Sequence, residues 1–600
     1  MCWRRQLHTR SGSVVAGAPA LTRPLGRRRH REQRRVPWLR SGRPAAYLQG
    51  LQLEAGDGRC TCPCPGTTTG TAFAASRLRQ VSFTSWFLDA FNYALYRRVH
   101  VLNLSVGGPD FADLPFTRKV SEVAAHNVLI VSGIGNSGPL WGTLMNPADQ
   151  PEVLGVGGID DDARIAPFSS RGMSGWELPD GAGRLKPDIV TYGSRVSGSG
   201  ISGGCRELSG TSVACPVVAG AAVLLASALP EARRNRLLNP ASLRQVLAQA
   251  AARLPERSAF EQGAGRLDLL RSAQALADYT PRATAVPEEL DLSPCGPAGE
   301  GGAGHAPGGG GSGGYLWPYC SQPLYAGAVP LLINLTLLNG MSVAGNFSRP
   351  PRWVPRGAAD GEALHVGFEY RRRLWPWGGT LGVALSVPDA AAAFDGLVHG
   401  EIVFEVGALL PGDPSPQPRS AVRVPLVVRV VPTPPRARRL LFDARHNLRY
   451  PPAYLPRDNL QVRCGGCRLP HIGPPPPEHA SRPRRVPRPP CLHTLCLHLP
   501  CVQRRCMHAS GEAGYATDLL WVRTGAQVTD EMLDWTGDHP HTNYRELYVA
   551  LRQRGWFVET LGCSYLCFNA SRYGALLLID TEDDFAPAEQ ATLRDDAPHH

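Results

Sequence analysis

Between residues 83 and 280 the chain sets four short, uninterrupted apolar runs among stretches of helical periodicity. They are HVLNLSVGG (100–108), NVLIVSGIGN (127–136), EVLGVGGI (152–159) and KPDIVTYG (186–193). A strand with one wet face alternates apolar and polar residues, whereas a strand that is apolar throughout is buried on both faces. Helices therefore cover both sides, and the fold class is α/β, a parallel sheet flanked by helices. One helix is read in FTSWFLDAFNYALYRRV, with Trp86, Phe87, Ala90, Phe91 and Ala94 on one side. Others are read over 116–126, 240–254 and 265–279.

From about 283 the grammar changes. Residues 283–315 read as a glycine-rich linker or insert. Over 316–432, AVPLLINLTLLNG, ALHVGFEYRRRL, GTLGVALSVP, GEIVFEVGAL and AVRVPLVVRVV follow one another with turns and no helices between them. That pattern predicts a β-sandwich-like domain. Residues 433–460 and 532–600 read as the start of a C-terminal α/β domain, with a helix in RELYVALRQRG and strands in WFVETLG and GALLLID. Between them, 461–531 is a low-complexity Pro/Arg/Cys-rich insert.

Charge is uneven. Residues 1–50 hold twelve arginines and one acid, Glu32, so nearly all of the formal +12 lies there. A uniformly basic nucleic-acid binder is excluded, and residues 1–80 read as a disordered or spurious Arg-rich head. It lacks the continuous apolar core of a secretory signal. No run of about 18 apolar residues is read as a membrane span. Asn334, Asn346 and Asn569 open N-x-S/T tripeptides and are glycosylation candidates. Cys295 and Cys320 flank the glycine insert and are placed to pair in an oxidising lumen. Cys464, Cys467, Cys491, Cys496, Cys501 and Cys506, with His493, His498 and His508, could hold zinc, but their spacing matches no finger. A zinc-dependent nucleic-acid binder is kept as an alternative on that cluster.

The chemistry centres on ELSGTSVACPVVAG (207–220). Ser212 opens a helix rich in small residues, where the positive end of the macrodipole favours developing negative charge. Alone, it would be an ordinary helix cap. IGNSGP (134–139) follows a buried strand and exposes Asn136, whose amide could donate to an oxyanion. LNLSVGG (102–108) could lend its backbone to a substrate strand.

These three motifs in this order, closed by QGAGRLDLL (262–270), resemble the subtilase family of serine proteases over about 83–280. The resemblance implies a serine endopeptidase with Ser212 as nucleophile and Asn136 in the oxyanion hole. It implies substrate contacts at Leu104, Ser105, Val106, Gly107, Ser132 and Gly133. Asp110 and Asp113, just after that strand, could select an arginine in the bound peptide or lie in a solvated loop. GRLKPDIVTYG, LWPYCSQPLYAG and LDWTGDHPHTN narrow it to a branch acting in the Golgi and endoplasmic reticulum lumen. That branch cleaves membrane-anchored precursors at Arg-containing, non-dibasic sites, in lipid metabolism and the unfolded-protein response. The full-length member is membrane-associated, nucleic acid is not expected as a partner, and structural Ca²⁺ is an option the family offers.

The family's Asp and His precede its serine by about 190 and about 160 residues. Here that region holds Asp57, with His8 and His30 before it, which is the wrong order. Triad Asp and His are not found. The expectation is a catalytic domain over 81–282 without its Asp/His-bearing part, and a chain with negligible activity as written. It is either a pseudoprotease that binds, or a chain in which the head replaces the missing part.

Overall fold

The computed structural model describes residues 83–108, 113–173, 183–200, 203–295, 314–412, 415–444, 446, 539–542, 544–561, 564–567, 569–579 and 585–596. The glycine-rich residues 296–313, Asp110 and the Cys/His-rich stretch with its zinc alternative lie outside these, as do residues 1–82.

The first unit runs α1 (Thr84–Tyr96), β1 (Val101–Leu104), α2 (Leu114–Ala125), β2 (Leu129–Gly133), β3 (Leu154–Ile159) and β4 (Ile189–Tyr192). A hairpin of β5 (Val196–Ser199) and β6 (Cys205–Leu208) follows. Then come α3 (Thr211–Ala228), α4 (Glu231–Leu237), α5 (Pro240–Ala250), α6 (Ala259–Gln262) and α7 (Leu269–Ala277). The four apolar runs form one parallel sheet in the order β1-β2-β3-β4, beginning Val101↔Leu129. α3 covers one face through Ala214, Val218, Ala219 and Ala222, and Phe91, Val120 and Val123 of α1 and α2 cover the other. Small side chains on α3 let its backbone approach the sheet, and each large buried side chain contributes roughly 1.5–3 kcal/mol. Helix starts obey local chemistry: Asp113 caps α2, Asn239 caps α5 with Pro240 at its first turn, and Asp268 caps α7.

α3 corrects the reading that no apolar run is long enough to span a membrane. It is 18 residues long and sufficiently apolar by length and composition. Half of it is buried against the sheet, as a core helix is.

The second unit is a two-sheet sandwich. Its elements are β7 (Ala283–Val286), β8 (Leu290–Leu292), β9 (Leu331–Asn339), β10 (Ala344–Pro355), α8 (Ala358–Ala363), β11 (His365–Tyr370), β12 (Arg373–Leu374), β13 (Gly378–Ser386), β14 (Gly396–Leu409) and β15 (Arg419–Val430). The sheets run β12-β10-β14-β15-β8 and β11-β13-β9-β7. Alternation puts Leu335, Leu381 and Val383 of one sheet against Ile402, Phe404 and Val424 of the other. The reading of 283–315 as linker is corrected at its start: β7 pairs with β9, and β8 pairs in parallel with β15. Two strands this short carry too little period to be seen in sequence. The Cys295–Cys320 disulfide forms across the glycine-rich segment.

The third unit holds β16 (Arg439–Asp443), α9 (Arg545–Gln553), β17 (Phe557–Leu561), β18 (Ala575–Leu577) and α10 (Pro587–Asp596), with a parallel sheet ordered β17-β16-β18. Arg439 and Glu559 form a buried ion pair at 3.1 Å, and the Tyr573 hydroxyl donates to Glu559 at 2.8 Å. The three units meet where Trp141 of the first stacks edge-on against Trp317 of the second. Arg545 of α9 lies over both rings, 5.1 and 4.6 Å from their centroids.

Candidate active site

Ser212 is the second residue of α3, whose N-cap Gly210 has φ 149°. A side chain at Gly210 would be strained by that φ, although a Cβ there would only touch Asn136, at 3.4 Å. Gly135, with φ 117°, has the same constraint, and a Cβ there would fall 2.6 Å from Ser170 Oγ. These glycines bring the end of β2 and the start of α3 together. Thr211 fastens them: its N–H donates to Asn136 Oδ1 at 2.8 Å, and Gly135 N–H donates to its hydroxyl at 3.2 Å. Because Asn136 Oδ1 accepts from Thr211, its Nδ2 is the group turned to other work. Early helix N–H groups lack intrahelical acceptors, so the Ser212 amide is the second donor this corner offers.

Pro216 has a consequence one turn back. In a helix the N–H of residue 216 would bond the Ser212 carbonyl, and proline has none. The Ser105 hydroxyl fills the gap, donating to Ser212 O at 2.8 Å. Ser212 Oγ in turn donates weakly to the Ser105 carbonyl at 3.4 Å. Beneath them Asn103 Nδ2 donates to Ser105 Oγ at 3.2 Å, and the Cys215 thiol donates to Asn103 Oδ1 at 3.0 Å. Burial pushes the Cys215 thiol well above its usual range, so it is a neutral donor and no nucleophile.

The acceptor of Ser212 Oγ is thus an amide carbonyl, which cannot take its proton. Among the described residues no histidine bonds Ser212. His126 caps the end of α2 through its Nδ1 and the Glu122 carbonyl, and it is exposed.

The predicted substrate residues divide. Ser105 and Val106 are half-buried and Gly107 is exposed, following β1, while Leu104 is buried and pairs with Ser132. Gly108 exchanges two backbone bonds with Asn146 and so closes that end of the stretch. Ser132 and Gly133 do not present side chains to a groove. Both are buried, and a Cβ on Gly133 would meet the Thr211 backbone at 3.1 Å, because β2 is central and covered on both faces. Asp113 is occupied as a cap, accepting from Phe116 N–H and from the Thr84 hydroxyl, so its carboxylate is committed within the fold. Asn334 and Asn346 are half-buried within strands, and Asn569 is exposed as the cap of a short turn.

Lys186 lies in the K-P-D stretch just before β4. It is buried, donating to Asp188 at 2.6 Å and to the Val153 carbonyl at 2.7 Å, and Arg244 holds the other carboxylate oxygen. Burial lowers its ammonium to about 8. This network ties β3 and β4 to α5 and lies off the Ser212 corner.

An acid–base pair escaped sequence reasoning. At the end of β16, buried His446 lies between Asp443 (Nδ1–Oδ2 2.8 Å) and Glu589 (Nε2–Oε2 3.5 Å). It stacks on Tyr565, whose hydroxyl donates to Asp443 at 2.7 Å. FDARHN carries no signal for this, because Tyr565 and Glu589 are more than a hundred residues away. Among the described residues no group of three or more His, Cys, Asp or Glu is arranged to hold a metal ion, so no step is assigned to calcium or zinc.

Comparison with known proteins follows this division. Residues 66–265 match the subtilase family. Residues 311–433 match the third, Ig-like domain of MBTPS1, and 434–465 with 513–600 match its fourth, GATase-like domain. The chain is 45% identical over 519 residues to membrane-bound transcription factor site-1 protease of Homo sapiens, covering 86% of this chain and 41% of that protein. It is 44% identical over 536 residues to subtilisin-like protease SBT6.1 of Arabidopsis thaliana, covering 89% and 43%. Over 192 residues it is 30% identical to subtilisin DY of Bacillus licheniformis, covering 32% and 62%. The chain spans about two fifths of the length of the site-1 protease relatives it matches.

Proposed function

The chain belongs to the subtilase family of serine proteases, and on that premise we propose that its Ser212 corner is built to attack a peptide carbonyl but, among the described residues, has no base beside it to do so. The observation that carries this is the fastening of Ser212, Thr211 and Asn136 at the start of α3. A peptide lying along Ser105–Gly107 would bring its carbonyl to Ser212 Oγ. The oxygen of the tetrahedral adduct would receive Asn136 Nδ2–H and the Ser212 N–H, and one such donor lowers the barrier by roughly 3–4 kcal/mol.

The attack also requires removal of the hydroxyl proton, and the Ser105 carbonyl cannot accept it. Asp57, His8 and His30 are in the wrong order to serve. Oxyanion stabilisation and binding alone leave about 10³–10⁴-fold over water. The substrates that fit the resemblance are membrane-anchored precursors in the Golgi and endoplasmic reticulum lumen, at Arg-containing, non-dibasic sites. Without turnover, the chain holds such segments rather than cutting them.

Fluorophosphonate labelling read by mass spectrometry tests this. The expected result is labelling of Ser212 no faster than of surface serines. Selective, rapid modification of Ser212 would overturn the inactivity. Capture of an arginine-containing peptide by the wild-type chain, weakened by Asn136→Leu, supports the binding role.

A further inference from the structure

The tip between β11 and β12 reads YRRRLW, residues 370–375. Its backbone is held firmly. Phe347 N–H donates to the Arg372 carbonyl, Asn346 pairs with Arg373, and Leu374 is buried. Its other side chains face outward: Arg371, Arg372 and Arg373 are exposed, Trp375 is 55% exposed and Tyr370 is 37% exposed. Among the described residues none of these three guanidinium groups forms an ion pair, and Glu369 is the acid next to them in sequence.

The base of the tip is pinned to another unit. Trp377 Nε1 donates to the Ala124 carbonyl at 2.8 Å, in the last turn of α2. α1 and α2 both end where β1 and β2 begin. The end of α1 presents Tyr96, 80% exposed, with Tyr93, Arg97 and Arg98. Two units thus gather tyrosine, tryptophan and arginine at one end of the catalytic sheet. Ser105, Asn136 and Ser212 lie at its other end.

We propose that this end rests on a membrane surface bearing anionic phospholipid headgroups, leaving the Ser212 corner turned away from the bilayer. Arginine supplies attraction to the headgroup charge. Tryptophan and tyrosine have apolar bodies and polar edges suited to the headgroup layer. A single-stranded nucleic acid is a poorer fit, since it calls for a basic groove that tracks its backbone, and here the arginines crowd one exposed tip.

Cosedimentation of the full chain with phosphatidylcholine vesicles, with and without phosphatidylserine, tests the proposal. Binding is expected only with phosphatidylserine, and to weaken with salt. Replacing Arg371, Arg372 and Arg373 with serine should weaken it at least about tenfold. Trp375→Ala should weaken it while leaving the salt dependence unchanged. A triple variant that binds like wild type overturns the proposal and assigns the binding to the arginines of residues 1–50. A Trp375→Ala chain that binds like wild type overturns insertion of the tip. Tighter binding of the same surface to a single-stranded oligonucleotide than to vesicles overturns the choice of lipid.

Discussion

The first and third units each bring polar side chains to the carboxyl ends of parallel strands, and between them they divide a hydrolase's equipment. The ends of β1 and β2 hold a serine, an exposed amide donor and a helix N-terminus. The end of β16 holds an imidazole on a carboxylate, Asp443–His446. Among the described residues the Ser212 hydroxyl meets only the Ser105 carbonyl, while His446 is walled in by Tyr565, Phe585 and Glu589. Residue types are not a mechanism until one atom can reach another.

The comparison breaks most decisively at Ser212. With a base in place, losing the serine would cost about 10⁶-fold. Here Ser212→Ala should leave cleavage of an arginyl peptide unchanged, measured by product release over days. A large drop would mean that a base reaches Ser212 after all.

At β16 the expected effect is on stability. Asp443→Ala leaves His446 and the Tyr565 hydroxyl without their buried acceptor, a loss of about 1–3 kcal/mol for each group left unsatisfied. Hydrogen exchange should accelerate in β16 and α10 while the β1–β4 sheet stays protected. Catalytic function for His446 would instead predict a stable fold with lost activity.

A smaller effect tests the proline argument. Ser105→Ala removes the donor to the Ser212 carbonyl and should cost about 1–2 kcal/mol in urea unfolding of the first unit. Ser105→Thr, which keeps the hydroxyl, should recover part of it.

The finest contrast is between buried acids. Burial holds the Asp149 carboxyl up to about 6, against the pull of Lys186, Arg184 and Asn146. The unfolded carboxyl ionises near 3.8. Between those values the folded chain holds the extra proton, so this contribution to stability is greatest in acid and falls as pH rises through 6. Asp149→Asn should flatten that slope in melting measurements between pH 4 and 6; an unchanged slope would remove Asp149 as its source.

The parallel sheet was legible because four all-apolar runs allow little else, and Ser212 and Asn136 were legible because glycine turns follow or precede buried elements. Strands β7 and β8 were not, being too short to show a period. Nor was the corner's reinforcement: the bonds from Ser105 to Ser212 and from Cys215 to Asn103 each join residues more than a hundred positions apart. Asp113 was misread because an acid beside a substrate strand and an acid capping a helix look alike until Phe116 N–H is placed. The His446 pocket depends on contacts more than a hundred residues apart, which no local pattern encodes.

The stack of Trp141, Trp317 and Arg545 has a practical side. Each member comes from a different unit, and Trp141 follows Asn136 by five residues. Cutting the chain at a convenient linker would strip cover from an indole that shares a loop with Asn136. An excised first unit would therefore emerge with a sticky flank and a loosened Asn136, so crystallisation or antibody-raising efforts are better served by fragments that end beyond α9.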